Sequence, residues 1–219
     1  MKTMKAPPHS LADVPPTCLS DEAAEGGATW ATVVSKYLVL PHSTPNQPSN
    51  IAVPKDWQRE WDRTAQENLS DKDIVRSLQI PYLHPALVSN PNVPQDMLDA
   101  VISTYIEKVC TNEQGELRTP APGAPKWQTE EFWGDIVLCF AADNHNLSVP
   151  SSVALQHTFP AHTQPDVHIG LLNNPATPKN VCEEIILEGT LEVWVAALKS
   201  PTLDEDAKTL AFLMLHPCG

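Results

Sequence analysis

At 219 residues and 42% apolar the chain is long enough to bury a sizeable core, while its formal charge of −13 excludes holding nucleic acid or an anionic membrane by charge neutralisation. Twenty-two prolines against 8 glycines exclude long uninterrupted helices or strands and demand many short elements. Five scattered cysteines, with no Cys-x-x-Cys pair, exclude a zinc ribbon or a disulfide framework and point to reduced thiols in a cytoplasmic protein. The opening Met1-Lys2-Thr3-Met4-Lys5 runs into Ala-Pro-Pro-His, so no signal peptide is expected, and no apolar run approaches the length of a membrane span.

Residues 1–28 carry Pro7, Pro8, Pro15, Pro16 and Gly26-Gly27 among small and acidic residues, and read as a mobile, flexible arm. From Thr29 the pattern changes. Trp30, Val33, Val34, Tyr37 and Leu38 fall on one helical face. After a loop to Pro54, the polar stretch 55–68 reads as a helix with Trp57 and Trp61 one turn apart. Residues 29–69 thus predict an N-terminal helical cap on an array that fills 70–219.

A period then sets in. The residues just before successive amphipathic runs are Ser70, Pro94, Pro125, Pro150, Pro178 and Asp204, at intervals of 24, 31, 25, 28 and 26. They introduce candidate helices at 71–78, 95–110, 126–133, 151–157, 179–188 and 205–215. Proline at a helix entrance lacks only an amide that would be orphaned there, and Ser or Asp caps the free amides. Shorter apolar runs precede several of these entrances. They lie at 86–89 before Asn90-Pro91, 135–142 before Asn144, 167–172 before Asn174-Pro175, and 192–199 before Ser200-Pro201. A residue before proline is pushed out of the helical region, so the shorter run must stop. Two short helices cannot bury their own apolar stripe, and stacking of neighbours is required. The expected fold is all-α, a solenoid of short paired helices.

The phrase Leu-x-x-Asn-Pro-x-Thr-Pro at 171–178, with its near copy at 87–94 and an amphipathic helix after each, resembles the variant leucine-rich repeat, which is similar to HEAT-like helical arrays. The resemblance covers 70–219. It implies a right-handed α-solenoid of short helices with 3₁₀ segments among them, an interaction role and no chemistry. The chain departs from the family in its longer, uneven periods and in having His145 where proline would follow the asparagine. It also lacks the cysteine cluster that holds an iron–sulfur centre in one member, so no cofactor is expected.

The densest metal-capable set is His157, His162, Asp166 and His168, with Asp143 and His145 upstream. Three imidazoles and a carboxylate suit zinc. Their spacing argues against it, because His162 sits between Pro160 and Pro165 and no His-Glu-x-x-His places ligands on one helical face. Ordinary loop histidines are the simpler account. Cys110, at a helix end, is the expected exposed thiol. Trp127, Trp133 and Trp194 belong to candidate repeat helices and are expected in the core. Trp57 and Trp61, on a helix with few other large apolar residues, either cover the end of the array or meet a partner. Glu184 and Glu188 share a helical face with little basic relief and form a modest negative stripe. The candidate binding residues are therefore Trp57, Trp61, Glu184 and Glu188.

These features favour a non-catalytic scaffold or adaptor whose partner is another protein or peptide, with neither nucleic acid nor membrane bound. The competing class is an acidic inhibitor, antitoxin- or anti-restriction-like, that mimics nucleic acid or blocks a basic partner. A hydrolase using the histidine cluster is the third.

Overall fold

The computed structural model describes residues 29–41, 53–112, 114–116, 118, 130–162 and 164–216. Among them all regular structure is helical, with eleven α-helices and no strand. The arm expected at 1–28, Trp127 and the first residues of the helix expected at 126–133 lie outside the described residues.

The helices pack in two rows. One consists of α2 (Trp57–Gln66), α4 (His84–Ser89), α6 (Glu130–Ala142), α8 (Pro165–Asn173) and α10 (Leu191–Lys199), each against the next. The other contains α3 (Asp71–Leu78), α5 (Gln95–Tyr105), α7 (Val149–Thr158), α9 (Lys179–Glu188) and α11 (Glu205–Leu215). Here α5 meets α7, α7 meets α9, and α9 meets α11. The first helix, α1 (Trp30–Tyr37), enters this second row and packs on both α3 and α5, burying Val33 and Val34. Its exit is tied to α3 by Val39 N–H donating to Leu78 O at 2.9 Å. Between the rows runs one continuous apolar core, from Val34 through Leu98, Leu138, Leu155 and Leu171 to Ile186 and Ala211.

Ser70 and Asp204 cap α3 and α11 as expected, Ser70 in a reciprocal capping box with Asp73 and Asp204 accepting from Ala207 N–H. At α7 the expected entrance, Pro150, lies inside the first turn, and Ser148 caps the helix by accepting from Ser151 N–H. Pro94 and Pro178 stand just before α5 and α9, and Pro165 is the first residue of α8. The 3₁₀ turn Pro81–Leu83 leads directly into α4.

Helix ends use one recurrent device. Asn90, Asn144 and Asn174 each follow a helix of the first row and are no more than 2% exposed. The carboxamide oxygen of each accepts from the amide two residues on, Asn92, Asn146 and Ala176, at 2.8 to 2.9 Å. The carboxamide nitrogen reaches back to the preceding turn. Asn90 donates to Thr64 O and Glu67 O at 2.7 and 2.9 Å. Asn144 donates to Val88 O and Asn90 O at 2.6 and 3.0 Å, and Asn174 to Ala142 O and Asn144 O at 2.8 and 2.7 Å. At the last step Ser200 and Thr202 hydroxyls share the task, both donating to Leu172 O, at 2.8 and 2.6 Å. Carbonyls orphaned at a helix end are thereby satisfied by the next rung.

This ladder corrects the expected period. Asn144 bonds directly to the Val88–Asn90 turn, so the two intervals of 31 and 25 residues around Pro125 belong to a single unit. The helices expected at 126–133 and 135–142 are one helix, α6, which runs through Gly134 without a break. Gly134 is there for contact. A Cβ at this position would lie 2.8 Å from both Cys110 Sγ and Val109 Cγ1. Those two atoms belong to the π-helical turn Ile106–Cys110 that extends α5. Cys110 itself is buried, contrary to the exposed thiol expected.

Replacing Asn144 by Ala removes three hydrogen bonds and takes the side-chain donor from the Val88 carbonyl, while Asn90 O keeps Val93 N–H, which should lower stability by roughly 2–4 kcal/mol. Replacing Pro175 by Ala should cost much less, since His145 already stands after Asn144 without loss of the rung. Urea midpoints of the two variants measure this, and equal losses would show that proline, not asparagine, governs the turn.

Candidate protein-interaction surface

On α2 the one-turn spacing of the tryptophans brings their rings edge to face, with centroids 5.8 Å apart and planes at 87°. Trp61 then meets Phe140 of α6, again edge to face, at 5.9 Å and 71°. The row is not sealed. Trp57 and Phe140 are each 39% exposed, and Val53, one turn before Trp57, is 46% exposed. Three aromatic rings from two helices thus form an open apolar strip on the first row.

Beside the tryptophans, Glu60 and Arg63 tie α2 to α3 and to the 3₁₀ turn. Glu60 accepts from Arg76 Nη2 at 2.9 Å and from the Tyr82 hydroxyl at 2.6 Å. Burial, then the hydrogen bond and charge of Glu60, push the Tyr82 phenol up. Arg63 pairs with Asp73 and, at 3.5 Å, with Glu67. The hydrogen bond from Ser70 is the chief cause holding Asp73 below the usual carboxylate range, with Arg63 assisting against the opposing effect of burial. The strip is therefore presented on a braced helix.

The other candidate residues lie elsewhere. Glu184 is exposed on α9, in the second row. Glu188, also exposed on α9, accepts from Gln156 Nε2 of α7 at 3.5 Å, a contact between helices of that row. The structure does not join these glutamates to Trp57 and Trp61. Trp194 is partly buried and donates from Nε1 to Ile186 O at 2.8 Å, stapling α10 to α9. Trp133 is likewise partly buried, its ring 6.3 Å from that of Phe132.

The metal candidates also separate. His157 and His162 are exposed, Asp166 is exposed in the first turn of α8, and His168 is buried. Its Nε2 donates to Phe159 O at 2.6 Å, and burial above all lowers its pKa. Among the described residues no group of three or more His, Cys, Asp or Glu side chains is gathered to hold a metal ion.

Two features escaped the sequence reading. Phe140 lies off the core stripe of α6, which is made by Val137, Leu138, Ala141 and Ala142, and that displacement is the signal that marks it as outward. His84 is fully buried. Its Nε2 donates to Leu78 O at 2.9 Å, so its Nδ1 accepts from the Tyr105 hydroxyl at 2.5 Å, and the ring ties α3, α4 and α5 together as a neutral imidazole. No helix among the described residues is long and apolar enough to cross a membrane. No family model matches the chain, and no curated protein or solved structure matches it either.

Burial lowers His84 from its ordinary 6.5 to about 4. Between these values the unfolded chain binds the extra proton, so this contribution is complete above about pH 6.5 and is lost as pH falls toward 4, amounting to about 3 kcal/mol in all. Urea midpoints should therefore drop steadily from pH 7 to pH 5, with His84 ring resonances still those of neutral imidazole at pH 5.5. A flat profile, or a protonated His84 at that pH, would contradict the buried network.

Proposed function

We propose that the chain is a non-catalytic scaffold or adaptor that docks another protein through the Trp57–Trp61–Phe140 strip. The observation that carries this reading is the accessibility of that strip. Three large rings from α2 and α6 remain partly open to water, and salt bridges tie α2 to its neighbours. Tryptophan and other aromatics are favoured anchors of protein interfaces because they bury much area with little side-chain entropy to lose. A rigid support avoids an ordering cost at association.

The architecture inferred is an α-solenoid of the variant leucine-rich-repeat kind, right-handed as that resemblance implies. What supports it is the succession of rungs, each bonded to its predecessor, along two rows of short helices. Such arrays expose one extended flank of each row, which suits docking of a protein or peptide. The acidity and the reduced cysteines fit a cytoplasmic protein that avoids nucleic acid and anionic membranes.

The test compares the wild-type chain with the double variant Trp57→Ala/Phe140→Ala, both verified as folded by circular dichroism, as baits in the native host. Partners retained by the wild type should fall at least about tenfold with the variant, as expected when interface anchors are truncated. Partners unaffected by the variant but released by modest salt would instead favour the acidic inhibitor, whose binding rests on charge alone.

A further inference from the structure

The aromatic strip continues into carboxylates. Asp143 stands in the turn that directly follows α6, three positions after Phe140 and four after Cys139, and the bond from Asn144 N–H to Ala141 O at 3.1 Å continues the coil past it, so these side chains leave neighbouring parts of one side. A Cβ on Gly170 would meet Asp143 Oδ1 at 3.0 Å, which places that carboxylate against α8. The Cys139 thiol reports the same convergence. It is pushed up to about 12, first by burial and then by the charges of Asp166, Asp135 and Asp143.

Lysine and arginine are scarce in this stretch of the sequence. Between positions 127 and 178 the chain carries Glu130, Glu131, Asp135, Asp143 and Asp166 but no lysine or arginine. Asp135 is held by the Gln164 amide. Asp143 and Asp166 are exposed, and among the described residues neither forms a salt bridge with Lys or Arg. Burial raises Asp143, with neighbouring His145 working against that rise. On the α2 side, Arg63 and Arg76 are engaged by Asp73, Glu67 and Glu60. Lys55 and Arg59 are exposed but lie off the Val53–Trp57–Trp61 stripe.

Open indole and phenyl rings beside carboxylates call for an occupant that is flat, apolar on its faces and positive. A guanidinium meets all three demands. It is weakly hydrated, stacks on aromatic faces and forms paired hydrogen bonds to carboxylates, whereas an ammonium is a compact, strongly hydrated point charge. We propose that the face running from Trp57 through Trp61 and Phe140 to Asp143 and Asp166 docks an arginine-bearing segment of a partner protein. This rests on the reading of the aromatic strip as a docking surface and adds the chemistry of what it takes. Phosphate-bearing partners are repelled by the same carboxylates.

Selection of random dodecapeptides on the immobilised full-length chain tests it. Enriched peptides should be rich in arginine. Their affinity should fall about tenfold for Trp61→Ala and several-fold for the charge-removing double variant Asp143→Asn/Asp166→Asn, which preserves shape and so carries the test alone if Trp61→Ala does not fold. Replacing arginine by citrulline in a selected peptide should abolish binding. If enriched peptides are apolar, without arginine, yet are lost with Trp61→Ala, the docking surface stands and the arginine assignment is overturned. Arginine-rich peptides that ignore both variants bind elsewhere and overturn the site. Failure to enrich any peptide overturns docking and assignment together.

Discussion

A buried carboxamide that accepts one backbone amide of its own turn and donates to two carbonyls of the turn before it is the interaction on which the fold depends. The helices of the first row are short, and a short helix leaves a large share of its carbonyls without partners in its own chain segment. Water cannot reach those ends here, because they lie between stacked turns. Asparagine answers the demand from the adjacent rung with a single side chain. Its oxygen fixes its own turn while its nitrogen fixes the neighbour's. At the last step a serine takes the position and has only one proton to give, so Thr202 joins it on Leu172 O. The substitution shows what the site requires, namely donors toward the previous turn, and how many.

Once the rungs are fixed, the face each helix turns to solvent is fixed as well. That is why Phe140 of α6 can meet Trp61 of α2 although the short helix α4 packs against both. The open strip lies on α2 and α6 of the first row, which also holds the buried His84 and His168. Along α6 the core-directed positions are taken by Val137, Leu138, Ala141 and Ala142, which leaves Phe140 outward.

Helix positions were legible in the sequence where capping and apolar spacing agreed. The stretches expected at 71–78, 179–188 and 205–215 coincide with α3, α9 and α11 because Ser70, Pro178 and Asp204 define their starts without ambiguity. The runs on either side of Gly134 read as separate in the sequence, whereas α6 passes through that glycine, whose missing side chain lets it lie close against Val109 and Cys110. Prolines after Asn90 and Asn174 drew attention away from the asparagines themselves. Local patterns report backbone conformation, whereas a side chain that bonds to a turn more than fifty residues earlier, as Asn144 does, leaves no local trace. The pairing of Trp57 with Trp61 follows from their one-turn spacing, whereas the contact of Trp61 with Phe140 does not, since contact across helices is a property of stacking order. The same limit separated Glu184 and Glu188 from the tryptophans only when the rows could be seen.

The placement of α1 bears on how the molecule is assembled. It does not sit beside the helix that follows it in the chain but between α3 and α5, with Val33 and Val34 buried there. A nascent chain emerging from its amino end cannot seat this helix until both of those later helices have been made. Ordinary stacks can grow one unit at a time from whichever end appears first. Here α1 must wait, its apolar face uncovered, and the loop that closes when it docks brings a delay set by chain topology. A helix made before α3 and α5 is thus seated only after both.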